Sequence, residues 1–98
     1  MERLIEFVDA ARDEFDEAFD WYAKRSHGAA IGFATAVDAA IDLILSDAGR
    51  FPRTDADCQY CRLERYPYCV IYRHSARGVT VIAVAHAKRR PGYWRDRM

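Results

Sequence analysis

After a short first segment, the hydrophobic period of this chain is that of a helix up to about residue 50 and that of a strand beyond it, and few folds accommodate that order. Between Ala10 and about Arg25, Ala11, Phe15, Ala18, Phe19 and Tyr22 form one helical stripe, with Asp13, Asp16, Glu17 and Asp20 largely outside it. From about Ala29 to Asp47, Ala30, Phe33, Ala34, Val37, Ala40, Ile41 and Ile44 repeat the pattern, and the many alanines plus Gly32 permit close approach of a neighbour. Ser26-His27-Gly28 is a short break between two amphipathic helices, so they form an antiparallel hairpin. Ala48-Gly49-Arg50-Phe51-Pro52 stops the second helix, and Arg53 to Asp57 is a polar loop. Strands follow at Cys61–Arg65, Tyr68–His74 and Val79–His86, with hairpin-length breaks at Tyr66-Pro67 and Ser75-Ala76-Arg77-Gly78. The last of these is apolar on both faces and is expected at the centre of the sheet, covered twice. Arg3–Val8 reads as a short first strand, and Asp9 is placed to cap the next helix. The expected fold is α+β: an N-terminal strand, an antiparallel helical hairpin, and a three-stranded antiparallel meander.

At 98 residues, with 51% of them hydrophobic, the chain has room for one soluble globular domain spanning 1–98. The longest apolar stretch, Val79–Ala85, is far shorter than the roughly 20 residues of a membrane-spanning helix. The N-terminus lacks the basic-then-apolar pattern of a secretion signal, so the expected location is the cytoplasm, without a membrane partner. Three cysteines, an odd number, fit a reducing compartment. Net charge is zero but unevenly spread. Residues 1–57 carry 13 acids and 6 bases, whereas residues 58–98 carry 2 acids and 9 bases. Either the basic part faces an anionic partner, or the halves neutralise each other within one fold.

Four segments carry a resemblance. Glu17-Ala18-x-x-Trp21-Tyr22-Ala23-x-Arg25-Ser26 ends the first helix, and Arg50-Phe51-Pro52 follows the second. Arg65-Tyr66-Pro67-Tyr68-x-Val70-x-Tyr72 opens a strand, and Ala83-Val84-Ala85-His86-x-x-Arg89-Arg90-Pro91-Gly92-Tyr93-Trp94 closes the chain. In this order and at these spacings they resemble the RelE/ParE toxin superfamily, the plasmid-stabilisation proteins, over nearly the whole chain. The resemblance implies a growth-inhibiting toxin of a type II toxin–antitoxin module, neutralised by a cognate antitoxin. ParE-like members inhibit DNA gyrase; RelE-like members cut messenger RNA in the ribosome; a relic that only binds antitoxin is a third possibility. Fold alone does not choose among them.

RNA cleavage by 2′-hydroxyl attack requires a proton acceptor, a proton donor and cations around the phosphorus. The candidate catalytic set is His86, Tyr93 and Arg89, and Tyr93 stands where the resemblance puts a functional tyrosine after the last strand. Against this, RelE-like nucleases have an arginine immediately before the apolar-apolar-Tyr of the penultimate strand, and Cys69 stands there, ahead of Val70-Ile71-Tyr72. The balance is a ParE-like protein binder. Its candidate partner or nucleic-acid contacts are Arg62, Arg65, Arg73, Arg89, Arg90 and Trp94. The expected antitoxin carries an acidic amphipathic segment that covers the basic sheet and tail. Each candidate also has a structural reading: a hydrogen-bonded His86, a Tyr93-Trp94 pair pinning the tail to the sheet, arginines in salt bridges to the acidic half. Cys58-x-x-Cys61 is half a zinc site without a second close pair, so neither metal nor cofactor is expected.

Overall fold

A computed structural model describes residues 4–97. Its elements are β1 (Leu4–Phe7), α1 (Asp9–Ala23), α2 (His27–Ser46), β2 (Gln59–Arg62), β3 (Tyr68–Ser75) and β4 (Gly78–His86), followed by a tail that ends in a helical turn, Arg95–Arg97. The sheet order is β1-β4-β3-β2. β2, β3 and β4 form the antiparallel meander, and β1 lies parallel to β4, with Leu4 opposite Gly78 and Phe7 opposite Val81. Between the two parallel strands the chain passes through both helices, β2 and β3, so the long connection that a parallel pair requires is met. Gly78 makes that pairing possible: its φ is +153°, and any Cβ there would collide with the Leu4 carbonyl.

The helical stripes seat on one sheet face. Phe33, Val37 and Ile44 meet Val70, Tyr72, Val79, Val81 and Val84 in a core with none of these side chains appreciably exposed. By length and composition α2 could cross a membrane; here its apolar side is the one buried on the sheet, and Asp38 and Asp42 lie outside. The opposite face holds a smaller cluster of Cys58, Ile71, Ile82, Ala83, Ala85 and Trp94, closed by the tail. β4 is thus central and covered on both sides, as its unbroken apolar run predicts. A bulge leaves Ile82 without a partner, since Ile71 faces Ala83 while Tyr72 faces Val81. It resets the alternation, so Ile82 and Ala83 both join the second cluster.

Several boundaries differ from expectation. Val8, not Asp9, is the N-cap of α1, and no side chain caps that end; Asp9 is the first helical residue, where its charge still favours the helix dipole. Ser26 caps α2 by accepting from the Ala29 N–H at 3.3 Å, so the helix begins two residues earlier than its alanine run. The second strand is Gln59–Arg62 rather than Cys61–Arg65. Arg65 sits in the left-handed region with φ +70°, which bends the chain into the turn before β3. Arg3, the expected start of β1, lies outside the described residues.

Candidate functional site

Beyond Val81 this edge of β4 has no strand partner among the described residues, and side chains satisfy it instead. Glu14, one turn and a half into α1, accepts the Val84 N–H at 3.0 Å. The same carboxylate takes a two-pronged bond from Arg97 at 2.8 and 3.0 Å, the Tyr93 hydroxyl at 2.7 Å, and a longer contact from Arg89 at 3.5 Å. Arg97 also donates to the carbonyl of the bulged Ile82 at 3.1 Å. One acid of the helical half therefore gathers β4 and the tail into a charge-assisted network. Burial pushes the Tyr93 phenol well above its usual range, and its bond to Glu14 adds to the shift.

Next to this network, an open cleft of about 410 Å³ runs between α1 and the ends of β3 and β4. Glu14, Glu17, Ala18, Trp21 and Tyr22 line its helical side; Pro67, Tyr68, Val84, His86 and Arg89 line the other. His86 is half-buried, its ring edge-on to Tyr68 at 5.0 Å, and its Nδ1 accepts the Lys88 N–H at 3.0 Å. That bond places the proton of the neutral ring on Nε2. Arg89 is drawn toward Glu14 and lies 3.8 Å over the Tyr93 ring.

The structure divides the residues that the sequence grouped. His86 pairs with Tyr68 on the helix side of the sheet, whereas Cys69 packs into the second cluster, with Arg62 opposite it in register. Burial pushes the Cys69 thiol up, while Arg62 beside it pulls the other way. Arg73 lies toward the other end of β3, five residues from Tyr68, a separation of roughly 17 Å at strand rise. Arg65 and Arg90 are exposed on two loops that the Ala87 N–H to Pro67 carbonyl bond, 2.8 Å, holds together. Trp94, expected among the partner contacts, is a core residue with 4% of its surface exposed. Its indole N–H finds no oxygen or nitrogen acceptor among the described residues and lies against the Cys58 sulfur. The basic segment is also less free than its composition implies: Arg89 and Arg97 pair with Glu14, and Arg95 pairs with Asp55 at 3.2 Å. The two halves of the chain neutralise each other in part. Cys58 and Cys61, three residues apart on alternating backbone, enter opposite clusters and cannot share a metal. Glu14 and Arg97 were missed at the sequence level, because nothing in the spacing of an acid in a helix's first turns shows that a tail returns to it.

The comparisons with known proteins fit this architecture. Residues 5–91 match the family model described as the ParE toxin of the type II toxin–antitoxin system parDE. The chain belongs to the ParE toxin family. A solved ParE-type fold, from the chromosomal ParDE toxin–antitoxin system of P. aeruginosa, superposes with a TM-score of 0.70. That match covers 89% of this chain and 98% of the other at 13% identity, and so establishes the shared fold. No curated protein matches the chain. The ParE family is one of type II toxins, which is the class the ordered motifs imply. The strand, helical hairpin and meander are those of the ParE fold.

Proposed function

We propose that this ParE-family protein inhibits growth in the cytoplasm by binding a protein target, DNA gyrase being the one that the resemblance implies, and that a cognate antitoxin neutralises it. The observation that carries the choice of binding over RNA cleavage is the engagement of the would-be catalytic groups. The Tyr93 hydroxyl already donates to Glu14, and Arg89 faces the same carboxylate. His86 opens onto a cleft whose acid without an ion pair among the described residues, Glu17, repels a phosphate backbone. Arg62, which stands beside Cys69, is on the other side of the sheet from His86. The cation that lines the cleft with it, Arg89, is already opposed by Glu14, so this base is poorly equipped for transesterification. The exposed cations Arg62, Arg65, Lys88 and Arg90 lie together at one end of the sheet, and they suit an antitoxin segment that is acidic and amphipathic.

The test is expression without antitoxin, following chromosome and transcript integrity in parallel. DNA damage with intact transcripts supports gyrase as the target. Codon-phased transcript cuts overturn the binding reading in favour of a nuclease, and undisturbed growth overturns toxicity altogether.

A further inference from the structure

The cleft beside α1 has a chemistry that the toxin assignment does not use. Its acids are Glu14, whose oxygens are already taken by Val84, Tyr93, Arg89 and Arg97, and Glu17. Glu17 makes no ion pair among the described residues, and the hydroxyls of Tyr22 and Tyr68 have no hydrogen-bond partner there either. By contrast Tyr66, Tyr72 and Tyr93 each donate to a carbonyl or carboxylate. Tyr22 and Tyr68 stand 6.5 Å apart at 62°, edge to face, and both line the cleft while packing inward on Phe33. Trp21, with 50% of its surface exposed, already holds a cation: the Arg25 guanidinium lies 3.4 Å from its ring centroid. Arg89, the arginine in the lining, is turned to Glu14 and Tyr93. An open carboxylate beside aromatic walls attracts a side-chain cation by both charge and ring quadrupole.

We propose that this cleft binds an arginine or lysine side chain presented by the protein partner, with Glu17 as counter-ion, the Tyr68 and Tyr22 rings as walls, and Trp21, with its bound Arg25, at the rim. The inference rests on the reading that this protein works by binding proteins, but the cleft can be probed without any partner. A guanidinium has the better fit, since its plane stacks on a ring while its edge reaches a carboxylate. The partner segment would then combine acids facing the loop arginines with one base inserted next to α1.

The experiment is an NMR titration of the full chain with acetyl-arginine amide, reading the Trp21 indole and Tyr68 ring signals. Acetyl-citrulline amide, which has the same shape without the charge, acetyl-glutamate amide and adenosine monophosphate serve as comparators. Saturable shifts are expected with the arginine probe and not with the other three. Glu17→Gln, checked by an unchanged melting curve, should weaken binding by about fivefold or more. Equal shifts from citrulline, an unaltered affinity in Glu17→Gln, or saturation by the nucleotide would each overturn the proposal. Failure of the toxin reading would show instead as transcript cleavage or undisturbed growth in cells, so the two outcomes are separable.

Discussion

Glu14 is a single carboxylate on which three parts of the chain converge, with only 12% of its side chain exposed. Replacing it with Gln keeps the shape but leaves Arg97 and the Val84 N–H with weaker partners, at a cost of about 2–3 kcal/mol. Urea denaturation of Glu14→Gln measures this, and a midpoint equal to wild type would show that the network is dispensable. Tyr72 provides a second residue-level test. Its buried hydroxyl bonds to the Ala48 carbonyl, and burial pushes the phenol up to about 12. The unfolded chain titrates near 10, so between these values it releases the proton first and binds fewer protons than the native state. Stability that is complete below about pH 10 therefore falls as pH rises toward 12, by up to about 1.4 kcal/mol per pH unit for this one group. Tyr93, shifted in the same direction, steepens the same limb. Tyr72→Phe should make the alkaline decline shallower in a series of denaturation curves, and an identical slope would remove Tyr72 as its source. His86 offers the functional contrast. His86→Ala should retain toxicity in a folded protein, and a stable mutant that has lost it would return His86 to a direct role.

The elements that local pattern could locate were those whose burial follows a regular period. α1, α2 and the doubly covered β4 were legible because one repeating stripe, or an unbroken apolar run, determines each. β2 shifted by two residues because Gln59 looks polar, yet it is buried with its amide donating to the Ala48 and Phe51 carbonyls at 3.0 and 2.9 Å. Tertiary bonding outweighed local preference there. The tail was legible as something that Tyr93 and Trp94 pin down, but not as the cover of a second core, which depends on contacts 79 and 83 residues apart in the chain. Of the candidate site, His86 and Arg89 do come together at one cleft, while Arg73 and Trp94 separate from it. The tail turns at Gly92, whose φ is +79° and whose added Cβ would lie 2.7 Å from the Asp55 carboxylate. Gly92→Ala should cost about 1–2 kcal/mol and loosen the tail. A red shift of tryptophan emission, as Trp94 leaves its cluster, would accompany the loss; unchanged emission and stability would mean that the turn accepts a side chain.

Over the whole molecule, the charge asymmetry of the sequence becomes a division of labour among the basic residues. Those of the tail are paired, with Arg97 partly buried on Glu14, and Arg89 and Arg95 at the surface on Glu14 and Asp55. Those of the loops remain outward, and the bond between the Ala87 N–H and the Pro67 carbonyl keeps the two basic loops at one end of the sheet. Long-range attraction to an acidic antitoxin segment should therefore depend on Arg65 and Arg90 more than on Arg89, whose charge is already opposed. Charge at an exposed rim acts mainly on the rate of encounter and is screened over about 8–10 Å at physiological salt. Arg65→Glu with Arg90→Glu should slow association with the cognate antitoxin by about tenfold at low salt and flatten the salt dependence, with dissociation little changed. Arg89→Glu would instead set two acids against each other beside Tyr93 and lower stability. Stopped-flow association over a series of ionic strengths, run on both variants and wild type, separates the two effects. Rates that are independent of salt, and equal in the double variant and wild type, would mean that the antitoxin docks elsewhere, with the acidic face of the helical hairpin as the remaining surface.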